Sequence, residues 1–168
     1  MDKANAMEGF RRGLSACRDA MHQWRTRWRL SRPYPLQMAE ESLGDYGERL
    51  AAEYLRRCGY TLLEQSMHTH YGEIDIIASW GKERVVFVEV KTRAVQRSND
   101  GGPSDAVDEE KQRRITQSAL VYMKRHGLLE TPGRMDVIAV TFDSLTRRPI
   151  FRHFENAFEA VGSFQMYS

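Results

Sequence analysis

Two carboxylates, Asp75 and Glu89, and the amine of Lys91 lie on strongly apolar stretches. They belong to Gly72-Glu73-Ile74-Asp75-Ile76-Ile77-Ala78 and, shortly after, Val85-Val86-Phe87-Val88-Glu89-Val90-Lys91. Both stretches are short, rich in β-branched residues and separated by Gly81 among charged neighbours, so they read as β-strands. Side chains alternate across a strand, so Ile74 and Ile76 are expected on one face and Glu73 and Asp75 on the other. The same alternation opposes Val86, Val88 and Val90 to Phe87, Glu89 and Lys91. A hairpin turning through residues 79–84 aligns the apolar faces and leaves Asp75, Glu89 and Lys91 together. Charges on such strands are costly to bury unless they are paired, hydrogen-bonded or holding a metal. Any one of them, read alone, is also explained by a salt bridge across the hairpin, with Lys91 pairing to Glu89 or Asp75.

The elements that must position these groups are legible on either side. Ser42, with Asp45 three residues on, marks a helix start. Leu43, Leu50, Ala51, Tyr54, Leu55 and Cys58 then form an apolar stripe that stops at Gly59, with Arg56 and Arg57 in the last turn. Glu48 falls near the edge of this stripe, either solvated on the helix face or reaching toward Asp75. Tyr60 to Glu64 reads as a first strand, and Gln65 to Tyr71, with His68 and His70, as a polar turn. After Lys91, residues 92–104 form a basic, Gly- and Pro-containing loop carrying Arg93 and Arg97. A helix from about Asp105 to His126 is expected next, with Val107, Ile115, Ala119, Tyr122 and Met123 inward and Gly127 as its stop. Lys111, Arg113, Arg114, Lys124 and Arg125 are expected outward, and Asp108, Glu109 and Glu110 in the first turn. Met135 to Phe142 is a strongly apolar strand interrupted by Asp136. Ile150 to Phe154 follows as a further strand and Asn156 to Val161 as a short closing helix.

Composition narrows the class. The chain has 168 residues, 41% hydrophobic and 29% charged, enough for one ordinary domain with a real core. No apolar run approaches the roughly 18 residues of a membrane span. Cys17 and Cys58 form no metal-ligand spacing or disulfide framework, which fits a reducing cytoplasm, and no signal-peptide apolar region is apparent. The formal charge of +2 conceals an asymmetry: residues 1–37 hold eight Lys or Arg against three Asp or Glu, so the remainder is net negative. Phe10, Leu14, Cys17, Met21, Trp24 and Trp28 recur at spacings of four and three, which predicts a basic amphipathic helix. Such a stripe packs on its own domain or binds a membrane surface, nucleic acid or a partner protein. Pro33 and Pro35 mark a linker, so the expected organisation is a basic helix and linker over 1–37 and a folded domain over 38–168. A natural start at Met38 is an alternative reading of the same boundary.

The order helix, strand, strand, strand, helix, strand calls for a mixed sheet flanked by helices. With Gly72-Glu73-Ile74-Asp75, Phe87-Val88-Glu89-Val90-Lys91 and Glu48 upstream, the chain resembles the PD-(D/E)xK, or restriction-endonuclease-like, nuclease superfamily. More narrowly it resembles the small bacterial YraN-like family, which is similar to archaeal Holliday junction resolvases. The resemblance runs from about Gly44 to Ala160 and includes Arg134-Met135-Asp136-Val137-Ile138 and Asn156-Ala157-Phe158. Ser66 and His68 depart from the family pattern, and the superfamily's Pro-Asp is Ile74-Asp75 here. The resemblance implies an αβββαβ core and a metal-dependent nuclease hydrolysing phosphodiester bonds in DNA, including branched or damaged forms. It implies Mg²⁺ or Mn²⁺ held by Asp75, Glu89, the Val90 carbonyl and Glu48, with Lys91 positioning or deprotonating the attacking water. Arg93, Arg97, Lys111 and Arg114 would then be phosphate contacts, and a homodimer would suit a symmetric branched substrate. Two other readings stay open: a non-catalytic nucleic-acid-binding protein on the same fold, and a protein-interaction module using the N-terminal helix.

Overall fold

The computed structural model describes residues 32–81, 84–94 and 107–160. All but the first two belong to one compact unit, Tyr34–Ser168. The amphipathic stripe from Phe10 to Trp28, and Arg97, lie outside the described residues. The elements are α1 (Leu43–Cys58), β1 (Thr61–Thr69), β2 (Gly72–Trp80), β3 (Arg84–Thr92), α2 (Glu109–Arg125), β4 (Gly133–Phe142) and β5 (Pro149–Phe158). This is the expected αβββαβ order, extended by one strand.

The five strands form one mixed sheet in the order β1-β2-β3-β4-β5. β1, β2 and β3 run antiparallel to one another, β3 and β4 are parallel, and β5 returns antiparallel to β4. The parallel pair needs a crossover, and α2 supplies it. Each helix seals one face. Leu50, Ala51 and Leu55 of α1 pack on Ile76, Ala78, Val86, Val88, Ile138 and Val140. Ile115, Ala119, Tyr122 and Met123 of α2 pack on Ile77, Phe87, Met135 and Val137. β2 and β3 are therefore covered on both sides, which is why their centres read as almost continuous apolar runs.

Local signals explain the helix ends. The Ser42 side chain accepts the Asp45 N–H at 3.1 Å, and Gly59 at φ 99° terminates α1 in the left-handed region that glycine tolerates. Asp108 is the N-cap of α2, not a first-turn residue: its carboxylate accepts the Lys111 N–H at 2.8 Å. Gly47 has a different task. A Cβ there would overlap the Thr92 side chain, so only glycine lets α1 approach the end of β3 so closely.

Three expectations are corrected. β1 does not stop at Glu64 but continues to Thr69, because β2 pairs with it as far as Gly72; the segment carrying His68 is strand, not turn. The closing helix from Asn156 is absent up to Ala160, since β5 continues to Phe158, with Phe158 paired to Met135 across an irregularity in register. The simple alternation of β2 also fails. Ile74 joins Ile77 in the core beneath α2, whereas Ile76 and Ala78 face α1. The phase changes at Asp75, beside Ser66, whose φ of 50° is left-handed.

Candidate functional site

That break in phase builds the site. The β2–β3 ladder ends with the pair Ile76↔Val88. One step further the register would set Asp75 opposite Glu89, and there the strands are joined by a side chain: the Val90 N–H donates to Asp75 Oδ2 at 2.6 Å. Asp75 stands in for a backbone carbonyl, and the sheet opens where two acidic residues face each other.

Both are deeply placed, Asp75 at 9% exposure and Glu89 at 3%. Glu89 Oε1 receives two ammonium groups, Lys91 Nζ at 3.0 Å from its own strand and Lys111 Nζ at 2.6 Å from the first turn of α2. Its other oxygen, Oε2, is buried without a hydrogen-bond partner. A buried carboxylate oxygen left unpaired is costly, and it marks where a further cation or donor fits. Burial, followed by the Glu89 charge and more weakly that of Glu48, pushes the Asp75 carboxyl up to about 7, against the opposing hydrogen bond from Val90. Glu48 enters from α1, half-buried. Its carboxyl is raised by desolvation first and then by Glu73, Asp45 and Glu89. Burial is the largest influence on Lys111 and opposes its charge, but the hydrogen bond to Glu89 together with the charges of Glu89 and Asp75 raises the pKa overall.

The expected site residues are thus distributed as follows. Asp75, Glu89, Lys91 and Glu48 converge on the open end of β2 and β3, within electrostatic reach of one another. Val90 meets Asp75 through its N–H. Lys111 does not point outward but turns onto Glu89, which lies within its side chain's reach from the capped start of α2. Arg114 pairs with Glu110 at 3.0 Å on the outer face of α2. Arg93 is exposed just beyond β3, where its N–H donates to the Val140 carbonyl at 2.9 Å. His68 lies 3.5 Å from Glu73 on the surface.

A hard divalent ion calls for oxygen donors, and carboxylates are what this opening presents. Among the described residues no three His, Cys, Asp or Glu side chains form a ready cage. Mg²⁺ does not require one, since it keeps several waters and takes one or two protein carboxylates. Asp75 and the unpartnered oxygen of Glu89 supply those, with Glu48 nearby, so the residues fit a hard, water-carrying cation.

A second polar cluster was not anticipated. Asp136, 1% exposed, accepts from Arg134 at 2.8 Å and from the Asn156 N–H at 2.9 Å, and its Oδ2 lies 2.8 Å from His153 Nε2. Arg134 also bonds the Tyr60 hydroxyl at 2.8 Å and Glu155 at 2.7 Å. The interruption of an apolar strand by Asp136 was the visible signal, but besides Arg134 its partners, His153 and the Asn156 N–H, come from β5, and Tyr60, which bonds Arg134, lies between α1 and β1.

An α/β/α domain with a mixed sheet and an acidic, lysine-bearing opening at one end is the class these observations define. The chain belongs to the uncharacterised protein family UPF0102, whose model matches residues 47–140. A UPF0102 protein of Rhodopirellula baltica is 46% identical over 127 residues, covering 74% of this chain and 75% of its own length. One from Geobacter metallireducens is 42% identical over 124 residues, 74% of this chain and 98% of its own. Among solved structures, Pyrococcus furiosus SfsA in complex with Ca²⁺ aligns at 15% identity and a TM-score of 0.34, over 66% of this chain and 61% of SfsA. This chain therefore spans less than two thirds of SfsA.

Proposed function

We propose that the protein is a metal-dependent nuclease that hydrolyses phosphodiester bonds in DNA. The observation that carries this reading is the state of Glu89: buried, gripped on one oxygen by two lysines, and unsatisfied on the other, beside a second buried carboxylate. A hydrophobic sheet does not need such an arrangement for stability, because an apolar residue of similar volume would serve as well or better.

Asp75 and Glu89 would hold Mg²⁺ or Mn²⁺, with Glu48 contributing from α1 directly or through water. The ion supplies Lewis-acid polarisation of the phosphoryl oxygen and lowers the pKa of its water. Lys91 is held at 3.0 Å from Glu89; with an ion bound there, its ammonium would orient a water and offset charge developing on the phosphate. Asp75 is oriented by the Val90 N–H, which fixes one oxygen and leaves the other available. Arg93, on the exposed exit from β3, and Arg114, on the surface of α2, would contact flanking phosphates without reading sequence. Arg97 belongs to the same proposal by its place in the chain.

Cleavage of labelled duplex, single-stranded, flap and four-way DNA with Mn²⁺ tests this reading. Wild type is expected to cut at least one substrate, and Glu89→Ala and Lys91→Ala each to lose on the order of 10³-fold or more in rate. Tight DNA binding with no turnover on any substrate would favour a non-catalytic nucleic-acid-binding protein.

A further inference from the structure

Lys111 and Lys91 reach the same oxygen of Glu89, yet they come from different elements and cannot serve one purpose equally. Lys91 shares the strand of Glu89, two residues on, and its position is tied to that strand. Lys111 comes from the start of α2, makes the shorter contact at 2.6 Å, and remains over one-third exposed at its side chain. A long flexible stem at the mouth of the site can swing away without moving the sheet.

Charge balance gives that movement a reason. Asp75, Glu89 and Glu48 together carry at most three negative charges, and Lys91 and Lys111 carry two positive ones. A divalent ion added to this set would leave an excess of positive charge, unless one ammonium departs or a phosphate arrives. The group free to depart is the one from the other element.

We propose that Lys111 is a resident counter-cation: it neutralises Glu89 while the site is empty and yields that carboxylate to an incoming divalent cation. The displaced ammonium stays at the mouth of the site, where it meets the substrate phosphate. Lys111 is therefore a positioning residue whose charge competes with the metal and sets its affinity. The proposal rests on the metal-site reading of Asp75 and Glu89 and adds to it the competition at Glu89.

The test is Mn²⁺ titration of the full chain by calorimetry, with no nucleic acid present. Lys111→Met is expected to bind Mn²⁺ more tightly than wild type, on the order of tenfold, because the carboxylates lose their internal competitor. Lys111→Arg, which keeps the charge, is expected to stay within about twofold of wild type. Lys111→Gln repeats the first result should the methionine variant fail to fold. Unchanged or weaker Mn²⁺ binding in the neutral variants, with wild type binding normally, overturns the exchange. Failure of the wild type itself to bind Mn²⁺ overturns the metal-site reading and this proposal with it, so the two failures are distinguished by the wild-type titration.

Discussion

Among the described residues, Asp75 carries the clearest pH dependence. Its carboxyl is pushed from 3.8 up to about 7, first by burial and then by the neighbouring Glu89 charge. The sign follows from linkage: the folded protein holds this proton more tightly than the unfolded chain, so the associated stability is present below about pH 4 and is lost as pH rises through about 7. Asp75→Asn retains an oxygen for the Val90 N–H and removes the charge. At pH 8 the metal-free variant is expected to be more stable than wild type by about 1–3 kcal/mol, a gain that fades toward pH 4. Urea unfolding at the two pH values measures it, and an equal gain at both would contradict this account. Cation binding has the opposite sign, because it requires the ionised carboxylate: Mn²⁺ affinity should fall as pH is lowered from 8 to 6. At Asp136 the expectation concerns stability alone. Asp136→Ala removes the more deeply buried of Arg134's two carboxylate partners, leaving Glu155, and also removes the acceptor of the Asn156 N–H, so a loss of about 2–3 kcal/mol in unfolding free energy is expected.

At the scale of elements, the site depends on how closely α1 meets the end of β3. Gly47→Ala introduces a Cβ that overlaps Thr92, and α1 must shift to accept it. A destabilisation of about 1–3 kcal/mol is expected. Because Glu48 is the next residue, the same shift should lower cleavage and Mn²⁺ affinity. In Thr92→Gly, which empties the space facing Gly47, Gly47→Ala should cost much less, and a double-mutant cycle measures the coupling. Purely additive effects would show that this close approach does not set the position of α1. Much of this layer was legible in the sequence. Ser42, Gly59 and Gly127 mark helix ends by local chemistry, and the apolar runs of β2 and β3 mark buried strands. What was not legible depends on distant partners. The phase change at Asp75 needs β1 alongside, with Ser66 in the left-handed region. The inward turn of Lys111 needs the start of α2 brought within reach of Glu89. β5 continues past Asn156 because β4 offers it an edge, and local propensity carries no record of that edge.

For the whole molecule, charge distribution predicts how nucleic acid would be held. The unit from Tyr34 onward includes interactions that a truncation must respect: Tyr34 packs on Phe151 at 4.9 Å between ring centroids and lies under the Arg57 guanidinium, and the Leu36 carbonyl accepts from Arg49 at 2.9 Å. A chain beginning at Tyr34 keeps these, whereas one beginning at Met38 does not. Removing residues 1–33 deletes all eight Lys and Arg of the basic N-terminal stretch. If they bind phosphate, duplex affinity in Ca²⁺ should fall and the dependence of log K on log salt should flatten, by about 0.9 for each phosphate no longer neutralised. An unchanged slope would assign DNA binding to the remainder alone. No described helix is long and apolar enough to cross a membrane. Whether the open end of β2 and β3 captures a divalent cation is tested most directly by anomalous X-ray scattering from Mn²⁺-soaked crystals. A manganese peak bonded to both Asp75 and Glu89 is the predicted result. Contradiction would be manganese bound elsewhere or not at all, with both lysines still closed on Glu89.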